Sequence, residues 1–179
     1  MIITRHGNGA FRVQTGGAAV VIDPEDNRLK ADITLQTATP IPLADQPADP
    51  SFILGPGEYD LKGVKIYGHA ATRAEMDAKM IYSVFELKAE DLTLAFLGNS
   101  PEKLNIQLVE KLGEVDILFA PPNAAEFVHQ LEPKITVVTH SKDVKSVGKD
   151  FGGKIEVVDK LTTKKKDLPA TSAVMFING

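Results

Sequence analysis

The sequence predicts a mixed α and β protein in which sheets pack face to face and helices lie outside them. Two observations carry this reading. The first hundred residues are short β-prone runs punctuated by Gly, Pro, Asn and Asp, and the remainder alternates continuous apolar runs with amphipathic stretches of helical period. A third narrows it: no unit of 20 to 50 residues recurs, which argues against a solenoid.

Residues 2–23 read as strand, turn, strand, turn, strand, with Gly16-Gly17 dividing AFRVQT from AAVVID as a hairpin signal. DITLQT, residues 32–37, is a further short strand. The stretch from Thr39 to Pro50, rich in Pro, Asp and Ala, has no sustained period and is expected to be a loop. Strand character returns in GVKIYG (63–68), MIYSVFEL (80–87) and LTLAFLG (92–98), with AEDL as a tight turn between the last two. Ser100-Pro101-Glu102 then supplies an N-cap, a Pro for the first helical position and an acid for the first turn. Leu104, Leu108 and Leu112 form one face of that helix, and Gly113 stands where its C-cap belongs. VDILFA (115–120) suits a strand buried on both faces. Asn123 and Glu126 have capping-box spacing ahead of a second helix, whose inward stripe is Phe127, Val128 and Leu131 and which Pro133 ends. KITVVTH (134–140) is another buried strand, a weak helical stretch follows near Val144 and Val147, and KIEVVDK and SAVMFI are the last strands.

At 179 residues the chain suits one domain, spanning 1–179. Apolar residues make up 43%, charged residues 25%, and the formal net charge is -4, an ordinary globular profile. That balance offers no global field for phosphate backbones, and the one basic run, Lys164-Lys165-Lys166, is more simply a solvated turn, so nucleic acid is not an expected partner. Cysteine is absent, which removes disulfides, thiolate nucleophiles and zinc–thiolate sites and leaves His, Asp and Glu as the strong metal ligands. The N-terminal residues lack a basic stretch followed by an apolar core, and no apolar run nears the roughly 20 residues of a membrane helix. A cytoplasmic location is the expectation. Nucleophile-elbow, P-loop and dinucleotide-binding strings are missing; Gly7-Asn8-Gly9 and Gly55-Pro56-Gly57 lack the rest of such contexts.

Four segments, in this order and spacing, resemble a known family: IITRHGNGAFRVQTGGAAVVIDP, GPGEYDLKGVKIYG, LTLAFLGNSP and GEVDILFAPPNAAEFVHQLEPKITVVTH. The family is the metallo-β-lactamase superfamily, within it the small Zn-dependent hydrolases related to the ascorbate-lactone hydrolases. The resemblance implies an α+β fold, a four-layer αββα sandwich of two mixed sheets flanked by helices. It also implies a metal site built on H-x-H-x-D-H after a strand ending in Thr, whose imidazoles and carboxylate generate a hydroxide nucleophile. Here that stretch is Thr37-Ala38-Thr39-Pro40-Ile41-Pro42-Leu43, without histidine or carboxylate. The family's next histidine falls near Arg73, with His69 a few residues earlier. Asn99 stands in place of the bridging aspartate, and Asn8 holds the polar position of the first glycine-rich turn. Only His140 keeps its family identity.

Each candidate has a plainer reading beside it. His140 is a remnant ligand or proton donor, or a strand-end residue satisfied by hydrogen bonds. Asp23 faces the same cleft, or it forms the turn that Asp before Pro favours. Asn99 also reads as a linker. His69, Arg73 and Glu75 line a polar cleft or are simply exposed; His129 belongs to a solvated helix face, and His6 has no assigned role. The expected function is a sandwich without its hydrolase. A vestigial cleft of His140, Asn99, Asp23, Asn8, Arg73 and His69 would bind a small molecule, or the chain would contact a partner protein, with no cofactor. The alternative is a hydrolase for lactones or phosphodiesters whose zinc or manganese is held by a rearranged set, His140, His69, Asp23 and Glu58. A homo-oligomer sharing ligands across its interface is a third possibility.

Overall fold

The computed structural model describes residues 1–26, 28–41, 49–71, 79–98, 106–140 and 144–179. Its strands are β1 (Ile2–His6), β2 (Ala10–Gln14), β3 (Ala19–Ile22), β4 (Ile33–Leu35), β5 (Ala38–Pro40), β6 (Phe52–Ile53), β7 (Gly57–Leu61) and β8 (Val64–Ala70). There follow β9 (Met80–Ala89), β10 (Leu92–Phe96), β11 (Ile117–Ala120), β12 (Ile135–Val138), β13 (Ile155–Val158), β14 (Leu161–Thr162) and β15 (Ala173–Ile177). Helices α1 (Ile106–Leu112), α2 (Ala125–Leu131) and α3 (Val144–Asp150) are each seven residues long.

The strands make two mixed sheets. The smaller runs β14-β1-β2-β3-β4-β6, and the larger runs β13-β15-β12-β11-β10-β9-β8-β7. In the smaller sheet β3, β4 and β6 are parallel, whereas β1 to β3 form antiparallel hairpins. In the larger, β10, β11, β12, β15 and β13 are parallel and the β7–β10 meander is antiparallel. The period of two decides which faces meet. Ile3, Phe11, Val13, Val20, Ile22 and Leu35 of one sheet pack on Ile66, Phe85, Leu87, Phe96, Phe119 and Val137 of the other. Phe119 anchors that layer, stacked on Phe96 at 4.1 Å and edge-on to Phe11 at 4.9 Å. The outer face of the larger sheet, including Val84, Leu118 and Val138, is covered by Leu108 and Leu112, by Phe127, Val128 and Leu131, and by Val147 and Phe151. The fold class is the α+β sandwich that the sequence predicts, and the described helices lie over its larger sheet.

The turn between β9 and β10 is the expected tight one: Glu90 and Asp91 both have positive φ, 53° and 62°. Three expectations change. The stretch from Thr39 to Pro50 is not all loop, because residues 38–40 pair antiparallel with β9, Thr39 opposite Ile81. Three residues are too few to show a period. The α2 cap is Ala124 with no side-chain cap bond, so the Asn123 capping box does not form; Glu132, at φ 44°, closes the helix ahead of Pro133. The strands β6, β7 and β14 went unread for the same want of length or pattern. Ser100-Pro101-Glu102 and Leu104 lie outside the described residues, while Leu108 and Leu112 are buried and Gly113 ends α1 at φ 57°. No helix among the described residues is long and apolar enough to cross a membrane.

Candidate functional site

The carboxyl ends of β3, β4 and β12 converge, together with the β1–β2 turn, on a cavity of about 260 Å³ lined by Asn8, Gly9, Ala10, Asp23, Glu25, Gln36, Ala38 and His140. Strand ends of this kind are where open α/β sheets gather ligands. Three residues singled out in the sequence, Asn8, Asp23 and His140, therefore share one cavity. The chain folds locally to hold them. Asp23 takes a positive φ of 50°, turning the chain after β3. Its Oδ1 accepts the Thr37 backbone N–H at 2.7 Å and its Oδ2 accepts the Thr37 hydroxyl at 2.6 Å. Gly98 makes room for that threonine, since a Cβ there would lie 2.3 Å from Thr37 Oγ1. Asp23 is thus neither a plain turn former nor a free ligand; it is the anchor of the segment where the family's metal motif would start.

His140 follows β12, with Nδ1 3.0 Å from Thr139 Oγ1. Its Nε2 rests against Gly9, where a Cβ would fall 2.2 Å away. Partial burial of the ring lowers the imidazole pKa, Arg5 lowers it further, and Asp23 opposes the shift. Burial raises the Asp23 pKa, offset only in part by the Thr37 bonds and by His140. The two shifts run in opposite directions for one reason, since burial disfavours the charged form of each group. Glu25 folds back over the first turn and accepts the Asn8 N–H at 2.9 Å. His6 acquires a role here: it ends β1 and its Nε2 is 2.9 Å from Thr4 Oγ1, two residues back on the same face.

These residues do not fit a zinc ion. A catalytic zinc takes three protein ligands, and among the described residues no group of three His, Cys, Asp or Glu is placed to hold a metal. Asp23 has both oxygens bonded to Thr37, and His140 has Nδ1 beside Thr139 Oγ1. The rearranged set does not assemble either. Glu58 lines a separate groove with Tyr59, Asp60, Lys65 and Tyr67. His69 is not the exposed residue that the sequence suggested: its side chain is 17% exposed, and Nε2 lies 3.8 Å from Glu86. Arg73, Glu75 and Asn99 lie outside the described residues. Glu86, unmarked in the sequence reading, is 3% exposed and bonded to Lys88 Nζ at 2.8 Å. Its one signal was an acid at an otherwise apolar outward position of MIYSVFEL.

A family profile described as a beta-lactamase superfamily domain matches residues 2–146. The chain belongs to the metallo-β-lactamase superfamily. Among solved structures, one described as a candidate Zn-dependent hydrolase of the metallo-beta-lactamase superfamily from Thermotoga maritima superposes with a TM-score of 0.77. The two are 24% identical over 99% of this chain and 98% of that one. The metallo-beta-lactamase fold protein YhfI from Bacillus subtilis gives 0.62 at 7% identity, covering 99% and 96% of the two chains. The isothiocyanate hydrolase from Delia radicum gut bacteria gives 0.56 at 14% identity, covering 79% and 85%. At these identities the likeness is one of fold. No curated protein matches the chain. In this metallo-β-lactamase member the stretch after β4 carries Ala38, Thr39 and Pro40 as a short strand.

Proposed function

We propose that this protein keeps the metallo-β-lactamase sandwich for a non-catalytic role, holding a small polar molecule in the cavity between Asn8, Asp23 and His140 without a metal ion. The observation that carries the reading is the double hydrogen bond from Thr37 to Asp23. It commits the Asp23 carboxylate, which shares the cavity with His140, to the backbone and hydroxyl of Thr37, at the start of the segment that would have to supply the other ligands. The Asn8 and Gln36 side chains have no hydrogen-bond partner among the described residues and line the same cavity as the Glu25 carboxylate, so an occupant would meet two free amides beside one acid.

The second reading is a metal-dependent hydrolase of lactones or phosphodiesters, favoured by one observation: Asp23 and His140 remain electrostatically coupled across one cavity. Elemental analysis separates the two. Untagged protein dialysed in turn against zinc, manganese and iron is expected to stay folded and metal-free. Near-stoichiometric metal that disappears in His140→Ala would overturn the proposal and direct substrate screens to lactones and phosphodiesters.

A further inference from the structure

A sheet edge invites pairing with another strand unless something blunts it. The two sheets end on four strands, and three of them are blunted. The smaller sheet ends on β14 and β6, each only two residues long. The larger ends on one side at β7, GEYDL, where Glu58 and Asp60 alternate on one face. Antiparallel pairing of β7 with its own copy about Tyr59 would set those acids opposite each other, which is unfavourable.

The remaining edge, β13, has none of these protections. It is four residues long and contains no Pro, and a groove of about 470 Å³ runs beside Lys154, Ile155, Glu156 and Val157. Val157 is 55% exposed, one of few large apolar side chains in that state. Its polar residues suit a particular occupant. Asn178 N–H donates to Val158 C=O on the β15 side, so in a parallel ladder the alternate residues, Ile155 and Val157, turn their own N–H and C=O outward. Pairing two copies antiparallel about Ile155 joins the outward N–H and C=O of the two Ile155 residues; Val157 falls opposite Gly153, whose N–H already donates to Gly148 C=O, so Val157 can only donate there. The pairing also places Lys154 of each copy opposite Glu156 of the other, two opposite-charge pairs on one face. Neither Lys154 nor Glu156 has an ion-pair partner among the described residues that would compete.

We infer that β13 is a self-association edge: two copies of this chain join antiparallel through residues 154–157, making one sheet continuous across a two-fold axis. A contact of one short strand per copy belongs to the weak, transient class of interface, so the dimer is expected only as concentration rises.

Sedimentation velocity on the full chain over a concentration series tests both the edge and its register. The wild type is expected to shift from monomer to dimer as concentration rises. Lys154→Glu and Glu156→Lys each create like-charge pairs and should raise the dissociation constant at least about tenfold. An equimolar mixture of those two variants regains both opposite-charge pairs and should dimerise again. Val157→Pro, which removes an N–H pointing away from β15 and is tolerated on an edge, should stay folded and monomeric. A wild type that stays monomeric throughout overturns the inference. So does a dimer that survives both charge reversals, or a mixture that fails to associate.

Discussion

Two regions of the molecule bring an imidazole and a carboxylate together, and they do so with opposite results. At the cavity, Asp23 is held by the neutral donors of Thr37, and burial prevails, raising its pKa while His140 is lowered. On the outer face of the larger sheet, burial also pushes Glu86 upward. There, the His69 ring 3.8 Å away and the hydrogen bond from Lys88 outweigh it, and the net shift is downward. Lys88, raised in turn by Glu86, also sits 5.1 Å from the centre of the Tyr67 ring. The lesson is that burial alone does not set the direction of a carboxylate's shift: beside a cationic donor the net shift is downward, and with a hydroxyl and a backbone amide it stays upward.

Three variants sharpen this contrast. Replacing both partners of Glu86, His69→Leu with Lys88→Met, strands a buried carboxylate and should cost about 3 kcal/mol near neutral pH. Because the folded pKa of Glu86 is depressed, its contribution exists above the unfolded value of about 4.3 and is lost as pH falls through the folded value. Urea denaturation should therefore show the cost shrinking at about pH 3; an equal cost at both pH values would break the argument. Thr37→Val removes the hydroxyl bonded to Asp23 and should cost about 2 kcal/mol. Here the sign reverses. Asp23 has a raised folded pKa, so folding is weakened as pH climbs from about 3.9 toward that value, and the variant should weaken more steeply over the same window. Parallel pH profiles for variant and wild type would sink the assignment. The smallest effect is expected from Gly9→Ala. The new methyl group displaces a solvent-accessible ring, and φ at residue 9 is +139°, so about 1 kcal/mol is lost. Shifted His140 ring resonances would confirm the contact, and an unmoved ring would refute it.

Much of the fold was legible because long strands and the helical stripes repeat with a clear period, as in MIYSVFEL or the Phe127, Val128, Leu131 face. What stayed hidden was short or non-local. The strand β5 has three residues and is defined by pairing with β9, some forty positions later. The missing metal motif was visible as TATPIPL, yet its consequence was not, since Asp23 meets Thr37 across 14 residues of sequence and only the parallel β3–β4 register brings them together. His69 looked exposed because its partner, Glu86, lies on the next strand. Those contacts follow from topology, which periodicity does not encode.

The pairing of β5 with β9 also bears on what positions 38 and 40 can present. Thr37 C=O accepts the Ser83 N–H at 2.8 Å and Ile41 N–H donates to Lys79 C=O at 2.6 Å, so the chain is zipped on both sides of positions 38 and 40. A histidine at either position would leave those bonds in place, because a strand ladder is made by backbone N–H and C=O groups and not by side chains. The strand therefore works as a fixed mount: it sets the direction of whatever side chain stands at 38 or 40.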